Sequence, residues 1–238
     1  MILLKIFTYL LSPITVFLCI MIYPLIKIKF YVLSNERIGE LVWTVEEFFY
    51  HKKVHKKKYI TIFISTDKIC NQFYMKMIKK KMLIFPGFIL FPTYRLIFFL
   101  SQYLPFLKKY YFNENEKGFE HIQLNNRIFL NKENINFKLS KKENDIGENF
   151  LKNLKISSDD KLVCLHIRDD SYLQLKFPGK DYSYHSYRDS DYKNFIPAIN
   201  KLCELGYYVL RMGEVTKGDF RIQNKRFIDY SKYYRSDF

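Results

Sequence analysis

The most informative segment of this sequence reads Val163-Cys164-Leu165-His166-Ile167-Arg168-Asp169-Asp170. An apolar run from 162 to 167 ends there at one cationic and two anionic side chains. An uninterrupted apolar run is typical of a strand buried in a parallel sheet, and polar residues that follow it lie at the carboxyl end of the strand. We therefore predict a buried parallel strand that opens into a loop carrying chemically active groups.

The residues that follow complete a crossover unit around this strand. A polar, Tyr-rich loop extends to residue 191, and apolar residues then recur at helical spacing over 195–205. Gly206 stands where such a helix ends and turns, and 207–210 reads as a second strand. A strand, a helix and a second parallel strand in this order form a β-α-β unit.

Three side chains are expected together on one rim of this unit, because open α/β sheets bind ligands at the carboxyl ends of their strands. They are His166, Arg168 and Arg211. A guanidinium matches phosphate oxygens with several coplanar donors, so Arg168 and, in the loop, Arg188 are the best candidates for holding phosphate. His166 lies one strand period before Arg168 and would hydrogen-bond a phosphate or donate a proton there.

Simpler interpretations of the same residues stay open. His166 is equally well explained as a half-buried core histidine, and Arg168 as the partner of Asp169 or Asp191 in an ion pair. Asp189-Ser190-Asp191 has the DxD spacing with which metal-dependent transferases bind a divalent ion. It also directly precedes a helix, where Asp and Ser are preferred caps, and we favour capping. No metal site is predicted.

The N-terminal segment is uncharged from residue 6 to residue 26 and is long enough to cross a bilayer. Pro13 and Pro24 argue against one straight helix. Three interpretations remain: a spanning or re-entrant anchor, a helix lying in the membrane interface, and a buried core helix. Lys27 and Lys29 follow the segment, and positive flanks favour the cytoplasmic side of the inner cell membrane for the rest of the chain.

The net charge of +15 is high for 238 residues. Basic residues cluster over 51–58, 76–81 and 108–109, and such clusters favour an anionic partner. We favour a membrane surface over nucleic acid because of the apolar N-terminus. His51 and His55 are one helical turn apart, but the neighbouring lysines disfavour a cation site. Cys164 and Cys203 fall on apolar positions, which indicates reduced, buried thiols in a cytosolic compartment.

Strands and helices alternate over 28–112, which predicts a first α/β layer. We expect strands over 28–33, 59–65 and 82–85, and a buried helix over 94–111. Arg37-Ile38-Gly39 forms either a simple packing turn or a loop that holds a polar or anionic group at a helix N-terminus.

Residues 113–155 read as an irregular connection, with one short strand near 127–130 and a helix from about Gly147 to Leu154. A second unit then covers 156–238, and it ends soon after its third expected strand, near 226–230. A domain of this kind ordinarily has roughly 100 residues or more, so we expect this unit to be truncated.

These motifs resemble, in order, those of a bacterial glycosyltransferase family. The similar elements are His166-Ile167-Arg168-Asp169, the segment 185–191 (His-Ser-Tyr-Arg-Asp-Ser-Asp), Gly206 and Arg211-Met212-Gly213, with looser similarity at Arg37-Ile38-Gly39 and Ile69-Cys70-Asn71. The HxRD strand end is also similar to the HxRR element of fucosyltransferases that use GDP-fucose. Asp169 stands here where those enzymes have their second Arg.

The resemblance implies an α/β, GT-B-like pair of Rossmann-like domains, the second one incomplete. The hydrophobic segment would cover 1–27, the acceptor-side domain 28–112, the connection 113–155 and the donor-side domain 156–238. A nucleotide sugar would bind as substrate, with no cofactor and no obligatory metal. We expect His166 and Arg168 to be catalytic, Arg37 and Gly39 to line the acceptor side, and the donor to be bound by Arg168, Asp169, Tyr172, His185, Arg188, Asp191 and Arg211.

The sequence thus predicts an enzyme that moves a sugar from a nucleotide diphosphate to a surface-polysaccharide or lipid-linked acceptor at a membrane surface. Two alternatives of other classes remain. One is a non-catalytic, membrane-associated remnant of such an enzyme. The other is a basic nucleic-acid-binding protein, which the apolar N-terminus disfavours.

Overall fold

The structure, a computed structural model, describes residues 2–55, 59–66, 68–112, 137–218, 220 and 222–237. The chain divides into two compact units, the first comprising Met1–Lys138 with Asp237–Phe238 and the second Leu139–Ser236. Each unit has one three-stranded parallel sheet, which confirms the α/β class. The division falls inside the predicted connection 113–155.

The first unit has the predicted alternation of strands and helices. Its sheet has the order β1-β2-β3, and the strands at 28–33, 59–65 and 82–85 are confirmed to within a residue. The elements are α1 (Ile2–Ile22), β1 (Ile28–Leu33), α2 (Ile38–His55), β2 (Ile60–Ser65), α3 (Gln72–Lys79), β3 (Leu83–Pro86), α4 (Gly87–Leu100) and a 3-10 helix (Pro105–Tyr110).

Helices cover both faces of this sheet. On one face, Phe63 packs with Leu41 of α2 and Ile78 of α3. On the other face, Ile64 packs with Ile97 of α4. Phe63 and Ile64 are neighbours in β2 and point to opposite sides, because side chains alternate along a strand. Both are almost fully buried, so the apolar content of β2 is explained by two cores.

The predicted helix over 94–111 is wrong in its limits. Helix α4 begins at Gly87, directly after β3, and ends at Leu100, and a 3-10 helix follows from Pro105. Pro105 suits the start of this 3-10 helix, because the N–H that proline lacks has no partner in a first turn. The predicted cap at Asp67 and the predicted strand near 127–130 lie outside the described residues.

Helix α1 packs against α4 within the first unit. Val16 is buried in the core on that face of the sheet, and the hydroxyls of Thr15 and Thr93 are 2.6 Å apart. Among the described residues, no helix combines the length and the hydropathy that crossing a bilayer requires.

The second unit contains the predicted crossover. Its sheet has the order β4-β5-β6, and Ile199 and Cys203 of α7 pack against Val209 of β5. The elements are α5 (Lys141–Asn153), β4 (Leu162–His166), α6 (Ser171–Lys176), 3-10 helices at Ser183–Arg188 and Tyr192–Phe195, α7 (Ile196–Glu204), β5 (Tyr208–Met212), β6 (Phe227–Ile228) and α8 (Tyr230–Tyr233).

Strand β4 is not the buried strand that its sequence predicts. It lies at the edge of the sheet, and Leu162, Cys164 and His166 on one of its faces are exposed. The other face carries Leu165, which packs against the core beneath α7. Among the described residues, a strand pairs with β4 on one side only, and the face that carries Leu162, Cys164 and His166 is left open to solvent. The thiol of Cys164 is therefore exposed, while Cys203 is buried as expected.

Candidate functional site

Arg168 lies where β4 ends, at the carboxyl edge of the second sheet. Its Nε donates to Asp189 Oδ1 at 3.2 Å, and both side chains are about three-quarters buried. The Ser190 N–H donates to the Arg168 carbonyl at 2.9 Å, so the loop before α7 is attached to the strand end. Among the described residues, Asp189 is the only side chain bonded to this guanidinium, through Nε.

The two aspartates after Arg168 hold a second loop against the same edge. Asp169 accepts from the backbone N–H of Ser171 at 2.9 Å and of Lys217 at 2.7 Å. Asp170 forms an ion pair with the Lys217 ammonium, and this hydrogen bond raises the pKa of Lys217 above its ordinary value. The contact predicted between Asp169 and the donor stays a prediction. Both of its carboxylate oxygens already accept hydrogen bonds from backbone N–H groups.

Aromatic side chains dominate the 3-10 helix at Ser183–Arg188. His185 stacks on Tyr182 with ring centroids 6.4 Å apart and contacts Tyr184 at 4.1 Å. Tyr187 is 82% exposed, and Arg188 is also exposed. Because Asp189 directly follows this helix and pairs with Arg168, the helix is anchored beside the carboxyl edge of β4.

Arg211 is not exposed on the rim as expected but is enclosed within the second unit, and its predicted donor contact stays a prediction. The guanidinium is 1% exposed and forms an ion pair with Asp229 at 3.1 Å inside the second unit. It also donates to the carbonyls of Gly218 and Lys217 and lies over the ring of Phe220. A side chain enclosed by its own unit in this way contributes to folding.

The Asp189-Ser190-Asp191 segment forms contacts that favour the capping interpretation. Asp191 Oδ1 accepts from the Lys193 N–H at 3.0 Å and caps the 3-10 helix that leads into α7. Asp189 is paired with Arg168. No group of three His, Cys, Asp or Glu side chains suited to a metal ion occurs in the part of the chain that the structure describes. Tyr172, another residue predicted to contact the donor, lies in α6. The Lys176 ammonium lies over its ring.

The first unit has a pocket at the carboxyl end of β2. Its volume is about 210 Å³. Ser65 and Thr66 supply its polar atoms, and Asn35, fully buried after β1, ties them together by donating to Ser65 Oγ and accepting from the Thr66 N–H. The rest of the lining is mainly apolar and consists of Tyr9, Ile64, Gly87, Phe88, Phe91 and Pro92.

The predicted acceptor-side residues do not line this pocket. Arg37 pairs with Glu40 at 3.1 Å on the surface of α2. Gly39 has open space where a side chain would be. Gly87 is the glycine at which the backbone approaches closely, since an added Cβ would meet the Ser65 carbonyl oxygen at 2.8 Å.

Sequence reasoning missed several residues that build these two edges. Asp189 and Lys217 are separated from their partners by long stretches of chain, and no local pattern marks such contacts. Thr66 directly follows a predicted strand and Asn35 lies two residues after another, and that position was the available signal. In comparisons with known proteins, no protein-family model, curated protein or solved structure matches this chain.

Proposed function

We propose that this chain is a GT-B-like, metal-independent glycosyltransferase that moves a sugar from a nucleotide diphosphate to a lipid-linked or surface-polysaccharide acceptor. The observation that carries the proposal is the Arg168 guanidinium, oriented by Asp189 at the carboxyl edge of a parallel sheet. In this proposal the second unit holds the donor and the first unit the acceptor. The proposal also follows the order of the sequence motifs.

Arg168 would assist departure of the nucleoside diphosphate. When the bond between the anomeric carbon and the β-phosphate oxygen breaks, its electron pair stays on that oxygen and negative charge grows there. A guanidinium held in place by Asp189 stabilises that charge without reorganising, and Nη1 and Nη2 match two phosphate oxygens. His166, exposed at the end of the same strand, would donate a hydrogen bond or a proton to the same group.

The pocket in the first unit supports an acceptor with an apolar part. Phe88, Phe91 and Pro92 line it with apolar groups, and Ser65 and Thr66, whose hydroxyls are hydrogen-bonded to Asn35, are polar residues of the lining. This combination suits a sugar hydroxyl next to a hydrocarbon better than it suits a fully polar glycan, so we favour the lipid-linked acceptor. The reaction would take place at the cytoplasmic side of the cell membrane, where reduced Cys164 and Cys203 are stable.

The first test is binding of nucleotides to the chain. We expect UDP, GDP or one of their sugar conjugates to raise the melting temperature, because a ligand that binds only the folded state stabilises it. Arg168→Ala should abolish this shift. The matched control is Arg226→Ala, which removes an arginine of the same unit just before β6, at the amino edge of the sheet. If no nucleotide diphosphate shifts either protein, the donor site is absent.

The second test is transfer from the donor that binds. Arg168→Ala should lower the transfer rate about a hundredfold or more, the scale on which loss of a group that stabilises transition-state charge acts. Arg226→Ala should retain most of the rate. Equal rates for wild type and Arg168→Ala would contradict the assigned role. Binding of lipid vesicles without any nucleotide binding would favour the alternative of a non-catalytic, membrane-associated protein.

A further inference from the structure

The polarity of helix α1 is the reverse of that expected for a helix on the surface of a protein in water. Two of its polar side chains, Ser12 and Thr15, face the interior of the first unit. Ser12 is buried and donates to the Tyr9 carbonyl at 2.7 Å, while Thr15 donates to the Ser12 carbonyl at 2.8 Å and contacts the buried Thr93 hydroxyl. These hydroxyls are satisfied inside, so none of them serves to solubilise the helix.

The opposite side of α1 presents exposed apolar side chains. We call this side the outer face. Each member is between 49% and 71% exposed, and no charged residue occurs from 6 to 26. The members recur at a spacing of three or four residues, which places them on one side of the helix. They are Phe7, Leu10, Ile14, Phe17, Leu18 and Met21.

Positive charges surround this apolar surface. Lys27 is exposed a few residues beyond the end of α1, and the Lys109 ammonium lies 4.0 Å from the ring centroid of Tyr23. Arg95 of α4 donates to the Tyr9 hydroxyl at 3.3 Å. No acidic residue occurs in 1–35 or in 82–112, which contain α1, α4 and the 3-10 helix that follows. The surface is thus apolar with basic groups at its border, and the described segments that form it contribute no acidic group.

We propose that the outer face of α1 binds in one leaflet of an anionic lipid bilayer, with the helix lying along the membrane surface. Apolar side chains would enter the acyl region, while Lys27, Lys109 and Arg95 reach the phosphate groups, as in helices that bind membrane interfaces. A second copy of the chain is the weaker occupant, because a symmetric contact brings the same surface together and would place cations near cations.

This proposal goes beyond the transfer reaction, because a bilayer can be bound whether or not a sugar is moved. It also locates an apolar acceptor, since Tyr9 of α1 lines the pocket at the end of β2. A lipid that leaves the bilayer beside α1 would reach that pocket without crossing open water. This last step rests on the proposed function, whereas vesicle binding does not.

The test is flotation of the purified chain with vesicles of phosphatidylcholine alone or with 30% phosphatidylglycerol. Wild type should float with the anionic vesicles and weakly with the neutral ones. Leu10→Asp/Phe17→Asp should lower binding at least tenfold. The matched control is Ile146→Asp/Leu205→Asp, two exposed apolar positions of the second unit, which should bind like wild type. Lys109→Gln should weaken binding about fivefold, because a basic residue near the surface contributes roughly 1 kcal/mol.

A second readout does not depend on disruptive substitutions. In a Trp43→Phe background, Leu10→Trp should show a blue-shifted emission with anionic vesicles, whereas Ile146→Trp should not. The proposal is overturned if wild type does not float, if the aspartate pair floats equally well, or if the two tryptophans respond alike. It is also overturned if wild type is a dimer that the aspartate pair dissociates, since the outer face would then be an interface between copies.

Discussion

Arg211 and Asp229 show how a buried charge is tolerated in the second unit. Their ion pair is 3.1 Å long and almost fully enclosed, and Arg211 also reaches two backbone carbonyls. Arg211 Nε is buried and has no partner among the described residues. Removing one member of a buried pair leaves the other charge without a counterion. Substitution of Arg211 therefore tests whether the pair stabilises the second unit.

We expect Arg211→Met to lower the free energy of unfolding by about 3–5 kcal/mol, because Asp229 then stays buried without its counterion. The double variant Arg211→Met/Asp229→Leu should lose clearly less than the sum of the two single variants. Urea denaturation of the four proteins closes this double-mutant cycle. Additive losses would mean that the two side chains do not stabilise each other.

Cysteine reactivity tests the burial of single side chains. Burial raises the pKa of the Cys203 and Cys19 thiols above the ordinary value, whereas Cys164 is exposed on β4. A raised pKa leaves less thiolate at a given pH, and thiolate is the reactive form. At pH 8 we expect iodoacetamide to modify Cys164 first and Cys203 and Cys19 much later, as peptide mass spectrometry would record. If all three thiols of the folded protein were modified at the same rate, the burial of Cys203 and Cys19 would be contradicted.

At the scale of elements, the junction of β3 and α4 depends on one glycine. A Cβ at Gly87 would meet the backbone oxygen of Ser65 at 2.8 Å, and a backbone atom cannot move aside cheaply. Gly87→Ala should therefore lower the free energy of unfolding by about 1–3 kcal/mol. Gly147→Ala is the matched control: this position in α5 has open space around it, so the variant should gain about 0.5–1 kcal/mol. Thermal or urea denaturation would show whether Gly87→Ala loses stability and Gly147→Ala gains it.

The sequence predicts the regular elements well where the apolar pattern starts and stops with the element. The strands β1 and β2 and the helix α7 follow directly from apolar periodicity and from Gly206. It does not predict that β4 is exposed on one face, because the exposure depends on which elements pair with it and cover it. The limits of α4 were also missed, since apolar residues run through the helix and the turn beyond it without a change of period.

At the scale of the whole chain, the candidate site could be located but not assembled from sequence. The change from apolar to charged residues at His166 and Arg168 marks the carboxyl edge of a strand, and the structure has both there. The Asp189 partner and the Lys217 loop depend on long-range contacts. Arg211 ends a strand in the same way but is turned inward. Position at a strand end therefore indicates where a site lies, while the pairing of each side chain determines its role.

The net charge of +15 leaves two classes of anionic partner, and their dependence on salt separates them. Nucleic-acid binding through six or more phosphate contacts loses roughly a thousandfold or more in affinity between 50 and 200 mM salt. Binding through the outer face of α1 should fall far less, because salt screens the basic border but not the burial of apolar side chains. We therefore expect flotation with anionic vesicles to fall at 500 mM NaCl to the weaker level of neutral vesicles but not to vanish, and RNA binding, measured by fluorescence anisotropy, to be weak at 150 mM. Tight RNA binding at 150 mM, together with loss of flotation at 500 mM, would assign the charge to nucleic acid.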